Sequence, residues 1–126
     1  MKRVLILGAL VLLIPWNSSN AMQTGIEFLR ACGAAVKQAD GVPVSGQESV
    51  ESLWCLSYLA GFTDSLRLTA SLFKPQNQKV CLPEEGTSGE QLARIVTKWL
   101  KDHPEHIHES GRIQIMFALV NAFPCK

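Results

Sequence analysis

Four cysteines constrain the fold of this 126-residue chain more than any other feature. They are Cys32, Cys55, Cys81 and Cys125, at separations of 23, 26 and 44 residues. A structural zinc site needs short Cys-x-x-Cys pairs or Cys/His clusters, which these separations do not provide. An even number of cysteines in a small exported chain is typical of a disulfide framework. We therefore expect two disulfides and no metal site, if the chain leaves the reducing cytosol.

The N-terminal residues indicate export. Lys2 and Arg3 form a positive start, residues 4–14 are an apolar or glycine run of 11, and Ser19-Asn20-Ala21 offers small residues to a signal peptidase. A membrane-spanning helix needs about 20 apolar residues, so the run is too short to be an anchor. The pattern predicts a cleavable signal peptide over 1–21, a mature domain over 22–126 and no attachment to the membrane afterwards.

Charge and hydrophobic content argue against two classes of protein, nucleic-acid-binding proteins and disordered chains. Lys and Arg number 12 against 11 Asp and Glu, and 47% of the residues are apolar. Because nucleic-acid binding needs a clustered excess of positive charge, this balance disfavours a nucleic-acid partner. The apolar content disfavours a disordered chain. A single globular domain is expected.

Hydrophobic periodicity predicts four helices and an all-α fold. The first covers residues 24–39. The second follows a capping box at Ser45–Glu48 and ends near Phe73; the third follows another capping box at Thr87–Glu90 and ends at 102–103. The last begins at Pro104 and reaches 123. The predicted buried positions are Ile26, Leu29, Cys32, Val36 and Ala39, then Val50, Leu53, Leu56, Leu59 or Ala60, Leu66 and Phe73, then Leu92, Ile95, Val96 and Trp99, then Ile107, Ile113, Met116, Leu119, Val120 and Phe123. Gly61, in the middle of the second helix, costs about 1 kcal/mol relative to alanine, which indicates close packing of another helix there.

The cysteine positions suggest a pairing. Cys32 and Cys55 lie equally far from the turn near Pro43, and Cys81 and Cys125 lie equally far from the turn near His103. In an antiparallel helical hairpin, residues equidistant from the turn sit at similar heights. The expected architecture is two hairpins, each closed by its own disulfide, although four cysteines allow three connectivities.

Residues with catalytic potential do not form a recognisable constellation. His103, His106 and His108 cluster near a helix start, which favours a solvated polar corner over a metal or catalytic site. The adjacent acids Glu84 and Glu85 are typical of a solvated loop. We predict no catalytic residue, no cofactor and no enzymatic activity.

Several segments taken together resemble the Rap/Tai family, the immunity proteins of type VI secretion amidase effectors. They are the Cys-Leu-Ser-Tyr-Leu-Ala-Gly-Phe-Thr-Asp-Ser block at 55–65, Val-Cys-Leu-Pro at 80–83, the stretch 91–105 with its His-Pro-Glu corner, and 118–125 with its Phe-Pro-Cys ending. The resemblance implies a small, helical, disulfide-bonded protein of the Gram-negative periplasm, often a homodimer. It also implies a partner, a papain-like peptidoglycan amidase whose active-site groove the protein blocks.

A blocking protein needs a protruding element, and two stretches qualify. Loops on rigid supports commonly carry binding residues. The irregular stretch 73–89 and the corner 102–106 are therefore the candidate partner-binding regions. Their candidate residues are Pro75, Gln76, Asn77, Glu84, Glu85, Asp102, His103, Glu105 and His106. The alternatives are a periplasmic stress or acid-resistance chaperone, which would expose apolar surface on acidification, and an orphan domain of the same fold with another partner.

Overall fold

The protein is all-α in the part of the chain that the structure, a computed structural model, describes, residues 24–126. Helix α1 covers Gly25–Ala39, α2 covers Gly46–Phe73, α3 covers Gly89–Asp102 and α4 covers Gly111–Ala122. A single 3₁₀ turn, Pro104–His106, lies between α3 and α4. The predicted signal peptide over 1–21 falls outside the described residues. No helix among residues 24–126 combines the length and apolarity that crossing a membrane requires.

Both predicted disulfides are present. Cys32 bonds to Cys55 and joins α1 to α2 across their connecting turn. Cys81 bonds to Cys125 and joins the segment before α3 to the tail after α4. Each bond closes one hairpin, so the pairing expected from equidistance is confirmed.

Side-chain caps fix the starts of three helices. Ser45 and Glu48 form the predicted capping box: the Glu48 amide donates to Ser45 Oγ at 3.1 Å, and the Ser45 amide donates to Glu48 Oε2 at 2.8 Å. Thr24 and Glu27 make a second box at the start of α1. The capping box predicted at Thr87–Glu90 is wrong. Ser88 caps α3 instead, accepting from the Gln91 amide at 3.1 Å.

The last predicted helix is interrupted. Residues 107–110 leave the helical path, because the carbonyls of Ile107 and Glu109 accept from the first amides of α1, those of Ile26 and Gly25, at 2.9 and 3.0 Å. Those amides have no partner within their own helix. The stretch that accepts from them consists of turns and a bend and ends in a single bridge residue, Ser110. Helix α4 therefore begins only at Gly111, whose missing side chain leaves room for the Phe28 ring.

The core lies where α1 meets α2, α3 and α4. Its largest fully buried side chains are Phe28, Leu59, Leu92, Leu100, Ile115 and Leu119. Five predicted inward residues, Ile26, Val50, Leu53, Phe73 and Ile113, are exposed. Four of them, all except Phe73, lie on helix faces that point away from the core. Phe73 is exposed because α2 is longer than α1: α2 has 28 residues and α1 has 15, which at 1.5 Å per residue is about 42 Å against about 22 Å. The second half of α2 therefore extends past α1.

Gly61 does not serve the packing predicted for it. A Cβ placed there would meet no atom of the described chain within 4 Å. The residue lies on the exposed side of α2. Close packing within this chain therefore does not explain the mid-helix glycine.

Candidate docking surface

An apolar groove lies beside the part of α2 that extends past α1. It has a volume of about 570 Å³ and runs between α2, the segment 75–80 and α4. Its apolar lining is Leu66, Ala70, Val80, Met116, Phe117 and Val120. Pro75, Asn77 and Gln78 form its more polar edge. A concave apolar surface with a few polar groups at its edge is typical of a binding site.

The wall formed by residues 75–81 is held by the C-terminal tail. The Cys81 amide donates to the carbonyl of Phe123 at 2.9 Å, and the Cys125 amide donates to the carbonyl of Lys79 at 3.4 Å. Val80 and Pro124 form an isolated antiparallel bridge beside the Cys81–Cys125 disulfide. Covalent and hydrogen-bonded ties reduce the entropy that a loop loses on binding. The wall is therefore preorganised.

The candidate residues of the irregular stretch 73–89 divide into two groups. Pro75 and Asn77 line the groove, and Gln76 lies exposed between them. They follow Lys74, which ends α2 in the left-handed region at φ 41°. Glu84 and Glu85 lie further along, in a turn that Gly86 closes at φ 92°. Only the first group belongs to the groove, while Glu84 lines a neighbouring depression that includes Arg67.

The corner 102–106 is more ordered than its sequence suggests. His103 stacks on Trp99 with ring centroids 3.7 Å apart, and its Nδ1 donates to the Trp99 carbonyl at 2.9 Å. Asp102 pairs with Lys98. Glu105 and His106 lie in the 3₁₀ turn, with 3.7 Å between a carboxylate oxygen and Nε2. The corner is a set of local pairs on the exposed surface.

A hydrogen-bond chain connects this corner to the interior of the fold. Nδ1 of His106 contacts Glu109 Oε1 at 2.8 Å, and Glu109 Oε2 accepts from Gln114 Nε2 at 3.0 Å. Gln114, which is 1% exposed, accepts from the Trp99 indole at 3.1 Å. Neither Glu109 nor Gln114 was a candidate residue. The only sequence feature that could have indicated Gln114 is its position as a polar residue within the apolar run of α4.

Trp99 also brings the corner towards the groove. Its ring centroid lies 6.3 Å from that of Phe117, which lines the groove, and 3.7 Å from that of His103. The two candidate regions therefore border a shared aromatic patch, made by Trp99, His103 and Phe117. Pro75, Asn77 and Phe117 line the groove. Phe117 lies near Trp99, which stacks on His103 of the corner.

His106 has two carboxylate neighbours, Glu105 and Glu109, but these side chains do not form a metal site. Within residues 24–126, no three or more His, Cys, Asp and Glu side chains lie together in a way that could hold a metal ion. All four cysteines are in disulfides. The chemistry of this surface is that of apolar contact, hydrogen bonding and charge.

His106 is expected to make the fold more stable in mild acid than at alkaline pH. The carboxylate of Glu109, and more weakly that of Glu105, raises the pKa of His106 above 6.5. A pKa that is higher in the folded than in the unfolded state gives a stabilisation that is complete below the unfolded pKa. That stabilisation is lost as the pH rises through the folded pKa.

The variant His106→Gln should remove this contribution. Chemical unfolding of both proteins at about pH 5.5 and about pH 8.5, on either side of the histidine titration, measures it. We expect the variant to be less stable than the unmodified protein at the lower pH and equally stable at the higher pH. If both proteins show the same pH dependence, the ion pair with Glu109 does not contribute in solution.

A family model described as Rap1a immunity proteins matches residues 24–125, almost the whole described chain. No curated protein and no solved structure matches the chain. The resemblance seen in the cysteine blocks and the helix corner is confirmed by the family match.

Proposed function

The chain belongs to the family of Rap1a immunity proteins, and from this premise we propose that it is a periplasmic immunity protein that blocks a peptidoglycan amidase. Membership of the family indicates an immunity function against a secreted effector. The family match carries the proposal. The type VI origin of the effector and its papain-like amidase activity come from the resemblance of the cysteine and His-Pro-Glu blocks.

The groove and the segment beside it supply the means of blocking. A protein that inhibits by occlusion needs no catalytic group; it needs a rigid protrusion and an apolar contact area. The segment containing Pro75–Asn77 stands at the groove edge and is braced by the Cys81–Cys125 disulfide. We assign this segment to the effector's active-site groove and Phe117 to the contact area around it.

The acidic and imidazole groups take a secondary role in this proposal. Glu84 and Glu85, together with Glu105 at the corner, are exposed. Rim charges mainly affect the rate and selectivity of encounter, and less the final affinity. Asp102, His103 and His106 are engaged in local pairs and complete the rim of the docking surface.

Export is part of the proposal. Both hairpins are closed by disulfides, which persist in the periplasm and are rare in the cytosol. The apolar run at 4–14 provides the signal for export, with cleavage after Ala21. A homodimer, which the family resemblance also implies, is compatible with a groove that each copy carries separately.

The docking surface can be tested with two matched variants on α4. Phe117 and Ile113 are 48% and 49% exposed, but only Phe117 lines the groove. Phe117→Asp is expected to weaken the complex with a papain-like peptidoglycan amidase by roughly 30-fold or more, as loss of an aromatic hot spot does. Ile113→Asp should change the dissociation constant less than about 3-fold. Calorimetry and hydrolysis of purified peptidoglycan measure both.

Two results would contradict this assignment. If the two variants weakened the complex equally, the groove would not be the contact surface. If the unmodified protein neither bound any candidate amidase nor inhibited its activity, an amidase would not be the target. Circular dichroism of each variant confirms that the fold is retained.

An acid-resistance chaperone is the second candidate, and two ion pairs give it a physical basis. Asp40 pairs with Arg94 between α1 and α3, and Glu48 pairs with Lys37 between α2 and α1. The hydrogen bond from Arg94 lowers the pKa of Asp40, and the hydrogen bond from the Ser45 backbone amide, followed by that from Lys37, lowers the pKa of Glu48. Their stabilisation is present above the unfolded pKa and is lost as the pH falls through the folded pKa. A chaperone would suppress aggregation of unrelated proteins at low pH, whereas an immunity protein acts stoichiometrically on its effector.

A further inference from the structure

A second cleft, separate from the docking groove, lies along the second half of α1. It has a volume of about 370 Å³ and is bounded by α1, the start of α2 and α3. None of its lining residues lines the groove. Its apolar walls are formed by Leu29, Ala34, Val36 and Val42. Ligand sites begin at about 300 Å³, so this volume suits a small ligand with a short apolar part.

The acidic residues of the cleft are already engaged. Both carboxylate oxygens of Asp40 accept from Arg94. Glu48 accepts from Lys37 with one oxygen, at 2.9 Å, and from the Ser45 amide with the other, at 2.8 Å. These carboxylates therefore have little capacity left to bind a cationic ligand.

Two donors of the cleft have no partner. The ammonium of Lys101 has no ion pair and no hydrogen bond within residues 24–126. The hydroxyl of Thr97, which is 5% exposed, also has none in the described chain. A threonine within a helix commonly donates to the carbonyl four residues earlier, as Thr63 does to Leu59 at 2.9 Å. A buried hydroxyl without a partner is unfavourable unless an acceptor reaches it.

Gly33 leaves the backbone of α1 open to the cleft. Glycine is less favourable than alanine in the middle of a helix. A Cβ at Gly33 would meet no described atom within 4 Å, so packing within the chain does not require a glycine there. Gly33 lines the cleft, and Arg30 and Lys37 lie about one turn to either side of it. The open space is therefore flanked by positive charge.

We propose that this cleft binds the carboxylate end of a short apolar peptide. Lys101 and Thr97 donate to the carboxylate, and Leu29 and Val36 contact the small side chains of the peptide. Lys101 follows Thr97 by one turn of α3, and a long helical side chain leans towards the N-terminus of its helix, so both donors reach one carboxylate. Because the acids are engaged and the donors are not, an anionic group is favoured over a cationic one.

This site is independent of the amidase proposal. The cleft uses α1, the start of α2 and α3, whereas the docking groove uses the end of α2, the segment 75–80 and α4. Phe117→Asp should leave binding of the peptide unchanged, and Lys101→Gln should leave the amidase complex unchanged. Failure of one proposal is therefore distinguished from failure of the other.

Titration followed by nuclear magnetic resonance tests the site on the intact, disulfide-bonded protein. The probe is acetylated trialanine, and its C-terminal amide is the control that lacks the negative charge. We expect saturable binding of the acid in the millimolar range, with a shift of the Gly33 amide resonance. Amidation should weaken binding by at least about 10-fold, the effect of losing a hydrogen bond to a charged group. Equal binding of acid and amide, or binding of neither, would overturn the proposal.

Variants on α3 assign the binding to individual side chains. Thr97→Val keeps the shape but removes the hydroxyl, and it should raise the dissociation constant of the peptide about 10-fold. Lys101→Gln should raise it about 3-fold, because an exposed ammonium contributes less. Lys98→Gln is the matched control, since it removes the same charge from the same helix outside the cleft; its effect should stay below about 1.5-fold.

The fold of these variants can be checked separately. Because the Thr97 hydroxyl has no partner in the described chain, Thr97→Val should keep the circular dichroism spectrum and the thermal midpoint of the unmodified protein. A peptide affinity that is unchanged in both Thr97→Val and Lys101→Gln would overturn the proposal, as would an equal loss in Lys98→Gln and Lys101→Gln.

Discussion

Replacing Cys81 and Cys125 together by serine is expected to lower the free energy of unfolding by about 4 kcal/mol. This disulfide joins residues 44 apart in sequence, and a cross-link of that span removes much of the entropy of the unfolded chain. Small domains are stable by about 5–15 kcal/mol, so the loss is a large fraction of the total. Cys81 is exposed and Cys125 half-buried, so serine adds little desolvation cost. Urea unfolding measures the change.

The disulfide between α1 and α2 is the comparison for this prediction. Cys32 and Cys55 are 0% exposed, and their shorter span of 23 residues corresponds to about 3.4 kcal/mol of chain entropy. Their replacement by alanine also disturbs the packed core. A loss below about 1 kcal/mol on removing Cys81–Cys125 would contradict the view that cross-links stabilise this small bundle.

Phe28→Ala is expected to cost about 3–5 kcal/mol, the range for truncating a buried aromatic residue. The Phe28 side chain is fully buried, and its ring meets Tyr58 edge-to-face with centroids 4.8 Å apart. It also fills the space against Gly111, where a Cβ would lie 2.3 Å from the ring. Removing the ring therefore opens a cavity between α1, α2 and α4. Urea unfolding followed by circular dichroism gives the magnitude.

Ile26→Ala on the same helix is the control for Phe28→Ala. Ile26 is 40% exposed, so its truncation should cost less than about 1 kcal/mol. Similar losses for both variants would mean that α1 is rotated about its axis relative to the structure. The pair thus tests which face of α1 is buried.

The rotation of α1 is also where sequence reasoning was weakest. The periodic pattern selected Cys32, which is buried, and Leu29 and Val36, which pack partly buried against the core. It also selected Ile26, which is exposed, and it missed Phe28, Ala31 and Ala35, which are buried. Alanines carry little weight in a hydrophobic pattern, yet their small size lets α1 lie against three other helices. The contacts that decide the buried face come from those helices, and a periodicity measured along α1 alone does not contain them.

Local signals were more informative. The Ser45–Glu48 capping box depends on residues three apart, so it could be predicted from sequence and is confirmed. The disulfide pairing followed from equidistance to two turns. The break at 107–110 could not be predicted, because it depends on amides of α1 that have no acceptor within their own helix and donate to the carbonyls of Ile107 and Glu109 instead.

Two of the residues predicted to bind a partner lie in the groove. The irregular composition of 73–89 pointed to Pro75 and Asn77, which line the groove. The corner was selected for its polar residues, but its contact with Trp99 and the buried Gln114 arises from the packing of α3 on α4. The groove itself is formed by three segments that are distant in sequence, so no single stretch of the chain could predict it.

Protection of a living cell is the most direct test of the immunity function. A papain-like peptidoglycan amidase is sent to the periplasm of a Gram-negative host, together with this chain carrying either its own N-terminal residues or none of residues 1–21. We predict that the exported chain prevents lysis, that the unexported chain does not, and that Phe117→Asp reduces protection. Lysis at the same rate with and without the exported chain, for every amidase tried, would contradict the account.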